Sequence, residues 1–302
     1  MLHLLIGKDW TANRAAVLER IAQDVHQRQA GRILMVPELI SHDMERRLCA
    51  AAGDTSSRYA EVLSFTRLAR RVFDTMGSAA EVCLDNGGRV VAMAATARQL
   101  SSRLKAYASV ETRPEFLTGL IDAIDEFKRC CISPQDLKRA SEETEGSLSQ
   151  KLEELALLAE GYDALCSRGK RDPRDQMTWL LEQLEAGTFG EEHVFYIDGF
   201  PDFTRQNLAI IEHLIRVSPS VTVSLNCDRV DASLLAFEKA GETAAQLVKC
   251  ARRAGVEVKV EVIPERKLPL TPVREKLFQG SVNWGEAAGC LHTVRAASAW
   301  QE

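Results

Sequence analysis

The sequence lacks the marks of several function classes. Its eight cysteines, Cys49, Cys83, Cys130, Cys131, Cys166, Cys227, Cys250 and Cys290, are scattered and form no CxxC. That pattern argues against a zinc site and against a secreted disulfide scaffold, and fits the reduced thiols of a cytoplasmic protein. Apolar runs fall short of the roughly 18 residues that a membrane helix needs, so no membrane partner is expected. Positive charge is not in excess: 38 Lys and Arg face 43 Asp and Glu, a net charge of −5. A free-standing nucleic-acid binder is usually basic, so any such contact has to come from a local patch. There is no Ser-His-Asp or Cys-His spacing, no HxxxH on a helix and no pair of carboxylates placed to share a proton. His3, His26, His42, His213 and His292 stand alone and read as structural or solvated. No catalytic residue and no metal ligand is assigned. Met1 to Gly7 carries neither a basic leader nor a small-residue cleavage site, and reads as a strand instead of a signal peptide.

What remains is a globular composition, 45% apolar and 27% charged over 302 residues, enough for one large or two ordinary domains. Leu2 to Ile6 reads as a strand closed by Gly7, and residues 12–29 as a helix with Val17, Leu18, Ile21 and Val25 on one face. Ile33 to Val36 is a strand stopped by Pro37, and Ser41 to Ala52 a helix closed by Gly53-Asp54. Ala60 to Phe65 and Thr66 to Met76 repeat the pattern. Strand and helix in alternation imply a parallel sheet covered on both faces. From Gly88 to Gly187 the strand signals stop. Phe116, Leu117, Leu120, Ile121, Ile124 and Phe127 form a helical stripe. Leu152, Leu155, Leu158, Tyr162 and Leu165 form another, and Met177, Leu180, Leu181 and Leu184 a third. Ser141 to Ser147 has no apolar residue and reads as an exposed loop. At His193 the α/β rhythm returns. Val194 to Ile197 is a buried strand, and Asp202 or Thr204 caps a helix whose apolar face is Leu208, Ile211, Leu214 and Ile215. A strand at Val221 to Leu225, a helix near Glu242 to Ala254 and a strand at Val256 to Val262 follow. Val273 to Phe278 reads as a short helix and Leu291 to Ala297 as a strand that starts and stops. The chain is expected to be a fragment of something longer.

In such a sheet, ligands bind at the carboxyl ends of the strands. The loop after the first strand is Gly7-Lys8-Asp9-Trp10-Thr11-Ala12-Asn13-Arg14. Set against the phosphate-binding pattern G-x-x-x-x-G-K-[ST], Gly7 fits. Ala12 replaces the second glycine, Asn13 the lysine and Arg14 the magnesium-binding hydroxyl. Lys8 lies too early to reach a β/γ-phosphate, and Thr11 is the loop's own hydroxyl. Asp198 follows a buried strand as a Walker B acid does, but Gly199 stands where a water-positioning acid would be. The set Gly7, Lys8, Thr11, Asn13, Arg14 and Asp198 is therefore a degenerate nucleotide site, with ATP–Mg²⁺ binding in doubt. The alternative is an ordinary strand–loop–helix unit. A second candidate is Ser64, Phe65, Thr66 and Arg67, two hydroxyls, an aromatic and an arginine at a strand end. Hydroxyls, helix-start amides and arginines bind phosphates, and an aromatic can stack on a base. The alternative there is a capped helix with Phe65 and Leu68 in the core.

Taken in order, several runs resemble one family. They are Leu4-Leu5-Ile6-Gly7, Met35-Val36-Pro37-Glu38, Val62 to Ala69, Ile124-Asp125-Glu126-Phe127-Lys128-Arg129, Asp172-Pro173-Arg174-Asp175 and Tyr196-Ile197-Asp198-Gly199-Phe200. Together they resemble the N-terminal part of the B subunit of the bacterial AddAB (RexAB) helicase–nuclease. The resemblance implies an α/β, RecA-like sheet of the P-loop NTPase type. Residues 1–82 and 190–302 would form it, with an all-helical insertion at 83–189. It implies a complex with an A subunit that resects double-strand breaks for recombinational repair, holding single-stranded DNA near Ser64 to Arg67. It puts the nuclease and the iron–sulfur cysteines outside this chain. Three functions stay open: a non-catalytic DNA-guiding scaffold, a nucleotide hydrolase using Lys8 and Asp198, and a pure subunit-interaction module.

Overall fold

Six short runs rich in Val, Ile and Leu become the strands of one sheet. They are β1 Leu2–Ile6, β2 Arg32–Met35, β3 Ala60–Leu63, β4 Val194–Ile197, β5 Val221–Leu225 and β6 Val258–Val262. The computed structural model describes residues 1–76, 83–108, 113–167, 170–230 and 235–266. In it the strands lie in the order β3-β2-β4-β5-β1-β6, and every neighbouring pair is parallel. Parallel strands need crossovers, which helices supply. In chain order the helices are α1 Trp10–His26, α2 Ser41–Ala52, α3 Phe65–Met76, α4 Asn86–Gln99, α5 Pro114–Arg129, α6 Pro134–Glu142, α7 Gly146–Cys166, α8 Gln176–Ala186, α9 Arg205–Val217 and α10 Glu238–Arg253.

Successive strand residues point to opposite faces, so each strand feeds two cores. Leu4, Ile6, Ile33, Met35, Phe195 and Ile197 face the side covered by α3, α8, α9 and α10. Leu5, Leu34, Val36, Val62 and Tyr196 face the side covered by α1 and α2. This is the RecA-like α/β architecture with a helical insertion. The insertion has a third core of its own, made by Met93 and Ala97 of α4, Leu117, Leu120, Ile121 and Ile124 of α5, and Leu158, Tyr162 and Cys166 of α7. Among the described residues 90–185 there is no strand. α8 differs from its helical neighbours: it packs on α3 and α9, and Leu180 and Leu184 join the sheet core. By packing, the separate helical core ends with α7.

Local chemistry moves several boundaries away from the periodicity. α1 begins at Trp10 instead of residue 12 because the Asp9 side chain accepts from the amides of Thr11 and Ala12. It stops at His26, short of 29, in a Schellman turn: Arg28 has a φ of 57°, and the Gln29 N–H returns to the Asp24 carbonyl. The loop expected at 141–147 is reduced to residues between α6 and α7. Ser141 is buried in the last turn of α6, and its hydroxyl donates to the Lys138 carbonyl. Phe116, expected in the α5 stripe, is half exposed. α9 takes its cap from Thr204, whose hydroxyl accepts from the Asn207 amide at 3.2 Å. The elements expected at Val273 to Phe278 and Leu291 to Ala297 lie outside the described residues.

Candidate functional site at the carboxyl edge of the sheet

The two candidate clusters lie on one edge. Ser64 ends β3, Glu38 follows β2, Asp198 follows β4, Asn226 follows β5 and Gly7 follows β1. Neighbouring strands sit about 4.8 Å apart, which puts Ser64 roughly 10 Å from Asp198.

After β1 the free loop is only Gly7-Lys8-Asp9, since Trp10 already belongs to α1. A phosphate loop wraps successive free amides around an anion. Here the first-turn amides are engaged by the Asp9 carboxylate, at 3.0 Å from Thr11 N and 3.3 Å from Ala12 N. The same carboxylate accepts from Arg266 Nε at 3.0 Å. Burial opposes its ionisation, yet Arg266 and the two amides hold its pKa below the usual carboxylate value. The anion position of this helix start is thus filled by the chain's own anion. Lys8 lies to one side, 3.8 Å from Glu265, and Thr11 is partly exposed on the first turn.

Asn13 is 1% exposed, and its Nδ2 donates to the carbonyls of Gly7 (2.9 Å) and Leu225 (3.2 Å) and to Asn226 Oδ1 (3.1 Å). It ties β1 to β5 where a phosphate-loop lysine would project outward. A Cβ on Gly7 would come within 2.4 Å of Asn13 Oδ1, so Gly7 makes room for Asn13. Arg14 donates through Nε to Asp198 Oδ2 at 2.7 Å, with both residues buried. Gly199 has a φ of 85°, and a Cβ there would meet Ile40 Cδ1 at 2.9 Å and Arg14 Nη2 at 3.2 Å. It lets the guanidinium lie against the loop after β4. The Arg14 guanidinium also stands 5.0 Å from the ring centre of Trp10, which is 53% exposed. Trp10, Arg14, Phe200, Pro201, Ser224 and Asn226 line a cleft of about 250 Å³ beside the ion pair.

The second cluster divides inward and outward. The Ser64 hydroxyl donates to the Glu38 carboxylate and accepts from the Arg67 amide at 3.2 Å, capping α3. Phe65, Leu68, Ala69 and Val72 form the buried stripe of α3. Burying a Phe side chain is worth about 1.5–3 kcal/mol, which sets the direction of Phe65. It packs edge-on against Phe200, 5.6 Å between ring centres. Its faces are therefore inside, whereas Thr66 is exposed. Arg67 is half exposed and pairs with Glu45 at 2.7 Å. Through Phe65 and Phe200, the start of α3 touches the wall of the Trp10 cleft.

A charge cluster that the sequence pattern did not assemble lies inside the insertion. It joins the Ile124 to Arg129 run to the Asp172 to Asp175 run. Arg89 of α4 grips the Asp125 carboxylate of α5, reaches Asp172 Oδ1 at 3.1 Å and donates to the Tyr162 hydroxyl at 3.3 Å. Lys128 reaches Asp175 at 2.6 Å, Asp163 at 3.1 Å and Asp172 at 3.3 Å. Arg174 adds a bond to Asp125 at 3.0 Å. Burial works against the Lys128 charge, but the carboxylates around it, Asp175 foremost, raise its pKa. Burial also opposes the charge of Asp172, yet Lys128 and the Arg174 amide hold it low. Burial leaves Asp175 raised in spite of Lys128. The acid–base spacing of Asp125 and Lys128 on one helix face was the available signal; nothing in the sequence pointed to Arg89. Among the described residues no group of His, Cys, Asp and Glu is arranged to hold a metal. Burial pushes the thiols of Cys166 and Cys227 up to about 11, which leaves neither a ready nucleophile at neutral pH. Among the described residues no helix is long and apolar enough to cross a membrane.

Comparison with known proteins adds a family. Residues 4–274 match the family model described as "ADDB, N-terminal". The chain is 31% identical over 242 residues to the B subunit of the ATP-dependent helicase/deoxyribonuclease of Caldanaerobacter subterraneus subsp. tengcongensis, covering 78% of this chain and 21% of that protein. It is 31% identical over 275 residues to the protein of the same name from Moorella thermoacetica, covering 86% and 24%. For the Desulforudis audaxviator protein of that name the identity is 30% over 270 residues, covering 85% and 23%. The chain spans about a fifth to a quarter of the length of the curated relatives it matches.

Proposed function

The chain belongs to the AddB N-terminal family, and on that premise we propose that it is a non-catalytic, helicase-like scaffold that guides single-stranded DNA. It does so beside an A subunit, in a cytoplasmic helicase–nuclease that resects double-strand breaks for recombinational repair. One observation carries the non-catalytic part: the nucleotide position is filled from within. Asp9 occupies the amides that would hold phosphate, and Asn13 is spent on carbonyls. Arg14 engages an oxygen of Asp198, the acid that would hold Mg²⁺. The residues present do not fit ATP–Mg²⁺, and neither it nor an iron–sulfur cluster is assigned to this chain. A carboxylate at a helix start satisfies the helix dipole that otherwise attracts phosphate, and it repels a second anion.

The test is calorimetric titration of ATP–Mg²⁺. The expected result is no site tighter than about millimolar, a binding free energy of only about 4 kcal/mol. Micromolar binding that disappears with Lys8→Ala or Asp198→Ala would overturn the reading in favour of a hydrolase. The DNA part rests on Thr66 and Arg67, which stand outward at the start of α3. An Arg67 paired with a partly exposed Glu45 can exchange that partner for a phosphate at small cost, because such surface pairs are worth about 0–1 kcal/mol.

A further inference from the structure

Trp10 is half exposed at the end of the sheet where ligands bind, and its ring already rests against a guanidinium. An isolated exposed apolar residue needs no explanation. This one forms the wall of a cleft whose other sides are Phe200, Pro201, Ser224 and Asn226. At about 250 Å³ the cleft falls below the roughly 300–1,000 Å³ of pockets for whole drug-sized ligands. It has room for one flat ring system and not for a nucleoside triphosphate. Its chemistry agrees. Arg14 and Asp198 cancel each other at 2.7 Å, so the floor offers no net charge for a phosphate. The indole lines the cleft, and Ser224 and Asn226, whose oxygen accepts from Asn13, supply a hydroxyl and an amide N–H for the edge of a ring. Phe200 of the cleft wall packs on Phe65 at the start of α3, where Thr66 and Arg67 stand outward.

We propose that the cleft is a stacking site for a single unpaired nucleobase of a DNA strand running along the carboxyl edge, with Trp10 as the platform. Resting on the DNA-guiding reading above, the proposal adds a residue and a chemistry: phosphates are held at Thr66 and Arg67, and a base at Trp10. Arg14 orients the indole by lying on its ring, and Asp198 holds Arg14 there. Stacking is tolerant of sequence because every base has a π-face, and it involves no counterion release.

The experiment measures binding of a labelled oligothymidylate, and of an abasic oligomer of equal length, to the chain and to its Trp10→Ala, Trp10→Phe and Arg67→Ala variants over a range of salt. Trp10→Ala should weaken oligothymidylate binding about tenfold, as loss of one stacked base does, with an unchanged salt slope and no effect on the abasic strand. Trp10→Phe keeps an aromatic face and the fold, and should lie within a few-fold of the parent. An unchanged affinity in Trp10→Ala, or an equal loss for the abasic strand, overturns the stacking site. If Arg67→Ala still weakens binding in that case, the DNA-guiding reading stands. No binding of oligothymidylate by the parent chain overturns both. A further arm adds metal-free ATP as competitor: displacement at micromolar ATP would make the cleft a free-nucleotide site and overturn the strand-base assignment.

Discussion

Two regions of this protein bury opposite charges, a cluster between the helices of the insertion and a pair that lines a cleft at the sheet edge. In the insertion, Asp125, Asp163, Asp172 and Asp175 each have a cation within 3.3 Å, and Arg89 and Lys128 bridge three helices and the Pro173 turn. At the sheet edge the pair Arg14 and Asp198 borders a cleft with an exposed indole. Nearby, Asn13 Oδ1 is buried with no hydrogen-bond partner among the described residues. Both regions contain runs that carry the family resemblance. Clustered charge alone therefore does not identify a site. An exposed indole beside an open cleft separates the edge pair from the insertion cluster, where the charges answer one another and hold helices together.

The largest expected effect falls on the closed cluster. Arg89→Met would leave Asp125 and Asp172 buried without their shared guanidinium. Breaking a buried pair from one side costs about 3–5 kcal/mol, so denaturant or thermal unfolding should show a loss of that order. Arg89→Met with Asp125→Leu should recover part of it, since no charge is then stranded on that carboxylate. If Arg89→Met alone is within about 0.5 kcal/mol of the parent, the cluster is not a fastening and the contrast collapses. Acid should probe the same place. The Asp172 pKa is held low, so its contribution is present above the unfolded aspartate value of about 3.9 and is lost as pH falls through the lower folded value. Asp175 is raised, so it takes a proton first on acidification and opposes the trend. Carboxyl titration by NMR should find Asp175 protonating before Asp172.

How far these regions are legible in the sequence depends on the range of the contact. Leu2 to Ile6, Val221 to Leu225 and Ser41 to Ala52 match their elements because short-range signals, alternation or Pro and Gly punctuation, determine them. α1 starts two residues before the periodicity because Asp9 acts as a cap, a role its position in a presumed phosphate loop conceals. Ser141 reads as loop because a serine satisfied by its own helix looks like any polar residue. At the site, the departure of Ala12, Asn13 and Arg14 from the phosphate-loop pattern is visible in the sequence. What replaces it is not, since Arg14 meets Asp198 across 184 positions and Asn13 meets Asn226 across 213. Trp10 lies in the same loop without standing out, because exposure cannot be read from a helix's first residue. The orientation of Phe65 is open in the sequence between stacking and core, and packing against Phe200 places its ring inside.

A smaller effect tests whether the first glycine serves a nucleotide or the fold. In a working phosphate loop, alanine at that glycine blocks an anion. Here the added Cβ would strike Asn13 Oδ1 at 2.4 Å and crowd the Ile263 carbonyl at 3.0 Å. Gly7→Ala should therefore destabilise the chain by about 1–3 kcal/mol, the usual cost of overpacking, with no nucleotide present. Asn13→Ala removes the clashing amide, so the double variant should be less destabilised than the sum of the single ones. Strict additivity would mean that Gly7 and Asn13 are not coupled, and that the edge is not filled in the way described.

The smallest effect on stability, and the one that speaks to function, is at Arg67. Its ion pair with Glu45 leaves both side chains 38% exposed, so screening by water and salt keeps its worth at the low end of surface pairs, well under about 1 kcal/mol. Arg67→Ala should barely move the unfolding transition. If Arg67 holds one phosphate of a single strand, the same variant should reduce the slope of log affinity against log salt by about 0.7. Glu45→Gln discriminates further. It breaks the same pair but leaves the arginine in place and unneutralised, so single-stranded DNA should bind more tightly than to the parent at low salt. An arginine that serves only the fold predicts the opposite symmetry, with both variants changing stability slightly and DNA affinity not at all. Measuring both variants at low and at moderate salt therefore separates an outward-facing phosphate contact from an ornament of the helix start, using two substitutions that break the same bond.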